Sequence, residues 1–381
     1  MQTRIIMASP DAAASKSKQL RTALMPAADA RLALIDDWLA RDLKLSPERL
    51  EPASSDASFR RYFRAFTARG TYVVMDAPPA HEDVRPYLTV SRMLEALRVH
   101  VPHVHEVDTA RGLLLIEDLG STLYLARLAA GDDPEPLYAD ALDVLAQIQA
   151  EGAAAAAQLD PYDRAPLERE MALMPEWFCA RHRGLELSQE ERAIVADAGE
   201  FLVRAALAQP QVFVHRDYHS RNLMLLETRN PGVIDFQDAL RGPIGYDLVS
   251  LLKDCYIAWP RTRVEAWVRA HHARLRARGA CLGADAHQLI EWVDLIGVQR
   301  HLKVLGIFAR LWYRDGKPGY LRDLPLTLDY VLEACARQPR LAALGGLLAR
   351  RALPALPAAN ARAAAHASGA QLAPGATRER A

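Results

Sequence analysis

Between Val212 and Asp235 three short apolar runs are separated by polar turns, and chemically capable residues fall where the runs end. Val212–Val214 reads as a strand that runs into the polar loop His215-Arg-Asp217-Tyr-His-Ser-Arg-Asn222. Leu223–Leu226 is a second strand, Thr228–Pro231 a turn, and Gly232–Ile234 a third strand running back to Asp235. If the last two strands form a hairpin, Asn222 and Asp235 emerge at the same end of it. Asp217 lies just before that end, so three oxygen-bearing side chains converge on one point.

Phosphoryl transfer needs such a set. Its transition state is loose, so positioning and charge neutralisation supply most of the catalysis. Magnesium takes hard oxygen ligands and keeps several waters, so one carboxylate and one amide oxygen suffice beside phosphate oxygens. A further carboxylate orients an acceptor hydroxyl and takes its proton. An isolated His-x-Asp-x-x-x-x-Asn is a common accident of loops. The apolar strands on both sides and the downstream Asp235 make this one far more selective.

The rest of the chain divides by pattern. Residues 1–28 are rich in Ala, Ser and Lys and read as a disordered leader. Residues 29–118 read as an N-terminal nucleotide-binding lobe. It has a helix over Asp29–Asp42, strands at Phe59–Phe66 and Thr71–Met75, a helix at Pro86–Val99, and a strand pair at His103–Val107 and Gly112–Ile116. Residues 119–338 are mostly helical, interrupted by the strands around the polar loop, and read as the catalytic and substrate lobe. Residues 339–381 are an Ala-rich tail, expected to be largely disordered after one helix near Leu341–Leu353. Strands and helices segregated in this way give an α+β fold, a small antiparallel β lobe beside a larger helical one.

Composition excludes more than it selects. The 47 basic and 47 acidic residues balance, so net charge argues for neither nucleic acid nor a membrane surface. No apolar run approaches bilayer length, and the four cysteines lie far apart without a C-x-x-C pair, which fits a cytoplasmic protein with reduced thiols. Oligomeric state is not legible.

His215–Asn222 and the continuation Ile234-Asp-Phe-Gln-Asp-Ala239 through Gly242-Pro-Ile-Gly-Tyr-Asp-Leu248 resemble the aminoglycoside phosphotransferase and choline kinase superfamily, with matching lobe order over residues from about 29 to 338. Val214–Met224, Asp247–Tyr256 and Gln299–Ala309 resemble more closely the anomeric amino-sugar kinases of bacterial cell-wall recycling. The resemblance implies a bilobal protein-kinase-like fold, ATP as co-substrate, Mg2+, and phosphorylation of the 1-hydroxyl of N-acetylmuramic acid and N-acetylglucosamine. The implied partners are thus a small amino sugar and a nucleotide. It makes Asp217 the base, gives Asn222 and Asp235 the metal, lets His215 brace the loop, and leaves Asp247 structural. Asp238 is either a support behind the site or a solvated loop acid.

The small lobe departs from that family pattern. No G-x-G-x-x-G is present; Ser54, Ser55 and Ser58 stand in its place, either offering backbone N–H groups and hydroxyls to phosphate or forming an ordinary turn. The strand Thr71–Asp76 lacks the expected phosphate-pairing lysine, with Met75 or Asp76 in its position. Either an arginine such as Arg60 or Arg61 substitutes, or magnesium does the neutralising. Glu117–Leu119 resembles the hinge that meets the nucleotide base, with Glu117 and Leu119 as candidates. Arg221, Arg300, His301 and Lys303 are candidate donors to an acetylated or acidic sugar. The other readings are an aminoglycoside or small-alcohol kinase of the same fold and, supported by the missing lysine, a nucleotide-binding pseudokinase.

Overall fold

The computed structural model describes residues 29–55 and 59–371. The chain forms two units, one made of the residues up to Val84 together with His103–Asp118, the other of Arg85–Pro102 and the residues from Leu119 onward. The leader and Ser58 lie outside the described residues.

The first unit is a five-stranded antiparallel sheet with one helix. Its strands are β1 (Arg49–Ser55), β2 (Arg61–Thr67), β3 (Gly70–Asp76), β4 (Val104–Asp108) and β5 (Leu113–Glu117), in the order β1-β2-β3-β5-β4. Strand alternation puts Phe63, Ala65 and Val74 on one face with Leu113 and Leu115, and the N-terminal helix Ala30–Asp37 with its wider last turn, Trp38–Asp42, covers them with Ile35, Trp38 and Leu39. Asp29 caps that helix, its Oδ1 accepting from the N–H of Arg31 at 3.0 Å. Strand β1 is not evident in the sequence, because Pro52 and four polar residues leave little apolar alternation. It survives as an edge strand with a register shift at Pro52/Ser54.

The helix Arg85–Ala96, expected in the N-terminal lobe, groups with the second unit. Its Tyr87 ring meets Phe236 with centroids 4.7 Å apart, and His100 beyond it accepts from the Val233 N–H at 2.8 Å. The second unit holds two short strand pairs: β6 (Gln211–Val214) with β9 (Leu240–Pro243), and β7 (Leu223–Met224) with β8 (Gly232–Val233). The longest helix, Ala286–Tyr313, is buried on nearly every side from Val293 to Gly306. Gly306 is required there, because a Cβ would come within 2.5 Å of Leu173. Among the described residues no helix is long and apolar enough to cross a membrane.

The helix expected near Leu341–Leu353 is present as Ala342–Leu347 and Leu348–Ala352, and beyond it, where disorder was expected, a further helix, Leu356–Gln371, continues the fold. Leu341, Leu344, Leu348, Ala352, Leu356, Ala359 and Ala363 recur at spacings of three and four and are all buried. Alanine supplies three of those seven positions, which give little contrast against the alanines facing outward, and the periodicity is invisible in composition. Arg183 fixes the segment by donating to the carbonyls of Ala352 at 2.8 Å and Ala355 at 2.6 Å. Leu348→Ala is therefore expected to cost about 2–5 kcal/mol. A thermal melt should show a clear loss of stability, whereas a disordered tail would leave the melting temperature unchanged.

Candidate active site

The hairpin geometry inferred from sequence is present. Leu223 pairs with Val233, and the Ile234 N–H donates to the Asn222 carbonyl at 3.1 Å. This register leaves Asn222 and Asp235 side by side at the strand ends, with Asn222 Nδ2 donating to Asp235 Oδ2 at 3.3 Å and to the Asp217 carbonyl at 3.0 Å. With the amide so oriented, both donors face protein and Oδ1 is turned to other partners. Asp235 has φ 64°, a left-handed backbone uncommon outside Gly, Asn and Asp, and its Oδ1 accepts from Gln237 Nε2 at 2.9 Å. Magnesium suits two such hard oxygens and completes its shell with phosphate and water. Among the described residues no three His, Cys, Asp or Glu gather into a closed metal cage. The donor set therefore fits Mg2+ held mainly by its substrate.

The loop carrying Asp217 is held from behind. Asp247, in the first turn of the helix Gly245–Leu252, is fully buried and accepts from the His215 N–H at 2.7 Å and the Arg216 N–H at 3.0 Å. Burial pushes its carboxyl up to about 7, and the two N–H donors act against that. Burial also pushes His215 down to about 4, so the imidazole is neutral at physiological pH. Its Nδ1 accepts from the Asp217 N–H at 3.3 Å, which puts the ring proton on Nε2, a buried atom with no hydrogen-bond partner among the described residues. Farther along, Asp254 Oδ2 accepts from the Ser220 N–H at 3.1 Å and from the Ser220 hydroxyl.

Cations gather around Asp217. Arg300 Nη2 lies 3.6 Å from Asp217 Oδ1 while Nη1 donates to the Arg216 carbonyl at 2.8 Å and to the Tyr246 hydroxyl at 3.1 Å. Glu170 balances the group, accepting from Arg216 Nη2 at 2.7 Å and Lys303 Nζ at 2.9 Å. Desolvation alone would raise the Asp217 carboxyl. Arg300, His219, Lys303 and Arg216 outweigh it and hold the group well below the usual carboxylate range. The side chain is 42% exposed, so solvent moderates the desolvation and the cations' effect dominates. Asp217 is thus an ionised carboxylate open to an incoming hydroxyl.

Several expected roles change. His301 is buried, with Nε2 3.0 Å from the Lys253 carbonyl and its ring stacked on Tyr330, and Lys303 is committed to Glu170 and Tyr246. Neither presents a donor to a sugar. Arg300 serves the loop, whereas Arg221 has no ion-pair partner among the described residues and is held against Tyr256, its Cζ 4.0 Å over the ring. In the first unit Arg61 is taken by Asp29 and by Asp76, whose Oδ2 accepts from Nη2 at 2.6 Å, so it does not replace the missing lysine. Arg60 is nearly buried, with Nε 4.0 Å from Glu82. Ser54 and Ser55 end β1 opposite Tyr62 and Arg61. The Glu117 N–H donates to the His103 carbonyl at 2.8 Å, and its carboxylate accepts from the His103 N–H at 3.2 Å. Leu119 belongs to the second unit, where Gly232 leaves room for its side chain.

Glu170, Tyr162, Tyr246 and Asp254 were not singled out from sequence. Tyr246 and Asp254 lie inside the stretches that carried the resemblance; Glu170 and Tyr162 have no local signal, being far from the loop in sequence.

Residues 49–282 match the phosphotransferase enzyme family. The chain belongs to that family. It is 47% identical over 331 residues to the N-acetylmuramate/N-acetylglucosamine kinase of Pseudomonas aeruginosa, covering 84% of this chain and 97% of that one. The protein of the same name from Pseudomonas putida is 44% identical over 335 residues, 85% of this chain and 98% of the other. Spectinomycin phosphotransferase APH(9)-Ia, with AMP bound, superposes with a TM-score of 0.57 at 12% identity, covering 80% and 98% of the two chains. The choline kinase LicA from Streptococcus pneumoniae does so with 0.55 at 13%, covering 79% and 98%. At such identity the likeness of this phosphotransferase to the solved structures is one of fold, the protein-kinase-like arrangement.

Two measurements probe the loop. Asp217→Asn is expected to slow turnover on the order of 10² or more with nucleotide affinity nearly intact, checked by steady-state rates beside nucleotide titration. Asp247→Ala strands two buried N–H groups at about 1–3 kcal/mol each. It should lower both melting temperature and activity, and unchanged values for both would remove Asp247 from its anchoring role.

Proposed function

We propose that this phosphotransferase moves the γ-phosphate of ATP to the anomeric 1-hydroxyl of N-acetylmuramic acid and N-acetylglucosamine, serving the recycling of peptidoglycan sugars in the cytoplasm, where ATP is supplied. The observation that carries the reading is the 47% identity, along almost the whole of the partner chain, to a kinase named for these two sugars.

The chemistry of the loop supports it. Asp217 accepts a hydrogen bond from the acceptor hydroxyl and aims its oxygen at the phosphorus. A carboxylate held ionised by cations is a weak base, so it suits a hydroxyl that is itself acidic, and the anomeric hydroxyl is the most acidic one a free sugar offers. In a loose transition state the proton leaves late, and little basicity is needed before then. Asn222 and Asp235 are the residues that would hold magnesium, which when bound would neutralise charge on the phosphate oxygens. Arg300 keeps the loop carbonyl of Arg216 and the Asp217 carboxylate in fixed relation.

Incubation with ATP, Mg2+ and a panel of amino sugars, read by phosphorus NMR, tests the assignment. Both N-acetylated sugars are expected to give an acid-labile phosphate and to lose their reducing end. A product that keeps its reducing end, or a preference for aminoglycosides, would overturn it.

A further inference from the structure

Three of the four cations expected to meet the sugar are occupied elsewhere in the fold, and Arg221 is the exception. Its surroundings are built. The loop turns tightly, with the His219 N–H donating to the Asp217 carbonyl at 3.0 Å and the Asn222 N–H to the His219 carbonyl at 2.8 Å. The segment Asp254–Tyr256 grips that turn from one side. Asp254 takes the Ser220 N–H and hydroxyl, the Tyr256 ring meets the His219 ring edge-on at 5.7 Å, and the Arg221 Cζ lies over the same ring, 4.0 Å from its centre. Tyr256 itself is fixed by its N–H, which donates to Asp254 Oδ1 at 3.0 Å. The guanidinium is therefore held on a rigid shelf, four residues after Asp217 and next to Asn222.

No carboxylate described in the structure lies within ion-pair distance of Arg221. Asp323 is near enough to be influenced by its charge, but its own ion-pair partner is Arg322 at 3.7 Å. Arg221 is half-buried, so part of its fork of donors reaches solvent. A stacked arginine has already lost the side-chain freedom that binding would otherwise cost, about 0.5–1.5 kcal/mol. Its planar fork matches a carboxylate in bidentate fashion.

The two sugars of the proposed reaction differ in one group of that chemistry. N-acetylmuramic acid carries a lactyl ether ending in a carboxylate, and N-acetylglucosamine carries a hydroxyl there. Resting on the acceptor reading above, we propose that Arg221, shelved on Tyr256, receives the lactyl carboxylate and sets the preference between the two acceptors.

The test is kcat/KM for both sugars, and KM for ATP, in the full-length wild type, Arg221→Gln and Arg221→Lys. Removing a charge-assisted bidentate contact should lower kcat/KM for N-acetylmuramic acid, through KM, by roughly tenfold or more relative to N-acetylglucosamine. Arg221→Lys keeps the charge without the fork and should fall between. N-acetylglucosamine turnover reports in the same preparations that the variants are folded. Equal losses on both sugars, an unchanged ratio, or a rise confined to the KM for ATP would overturn the inference. Wild-type enzyme that phosphorylates neither sugar would overturn the acceptor reading itself, so the two failures are distinguishable.

Discussion

Two backbone N–H groups of the catalytic loop end on one buried carboxylate, Asp247. That anchor permits an otherwise unfavourable backbone, because Arg216 sits at φ 78°, in the left-handed region that a non-glycine residue enters at a cost of about 1–2 kcal/mol. The turn presents the Arg216 carbonyl to Arg300 and to the Ser250 hydroxyl, at 2.8 and 3.2 Å, and sends its side chain to Glu170. Lys303 and the Tyr162 hydroxyl meet the same Glu170. One carboxylate thus orders the main chain and another gathers the cations. Asp217 stays ionised at the junction although its surroundings are largely protein.

The first unit solves a charge problem differently from the family pattern. On β3, Asp76 faces the helix side of the sheet with Val74, and Met75 occupies the other face. The Asp76 carboxylate is wholly buried, and an unpaired charge there would cost several kcal/mol. Arg31 from the N-terminal helix and Arg61 from β2 neutralise it, so the ion group ties the helix to the strands. On the opposite face Arg64 forms a two-point bridge with Asp118, at 2.7 and 2.9 Å. Arg61, which the sequence offers as a replacement for a lysine, thus serves the architecture, and the strand itself brings no positive side chain in the lysine's place.

What was legible from sequence followed from local rules. Asn222 and Asp235 were placed together because a hairpin has one possible end at which both emerge, and the contact between them is a consequence of strand pairing alone. The mostly helical character expected of residues 119–338 is present, for example in Pro134–Glu151 and Gln189–Leu207. What was not legible depends on distant segments. Lys303, His301 and Arg300 read as donors because adjacent cations on a helix suggest a binding face, whereas each is satisfied by a group 48 or more positions away. The strand β9 escaped notice because Leu240–Pro243 contains Gly and Pro and pairs with β6 from across the loop.

The helix Ala286–Tyr313 carries those polar residues within five positions, and together they reach several neighbours. Gln299 meets Tyr162, Arg300 the loop, His301 the Lys253 carbonyl and Lys303 Glu170. Successive residues point about 100° apart, and Gly306 is the contact where Leu173 touches the axis. The helix therefore works as a key with teeth on several sides. A conservative exchange at one tooth alters one contact. A single inserted or deleted residue upstream of Gln299 would turn every tooth against the wrong ward at once. Along this stretch, length is a stricter requirement than identity, and divergence in the chain has to proceed by substitution while its register stays fixed.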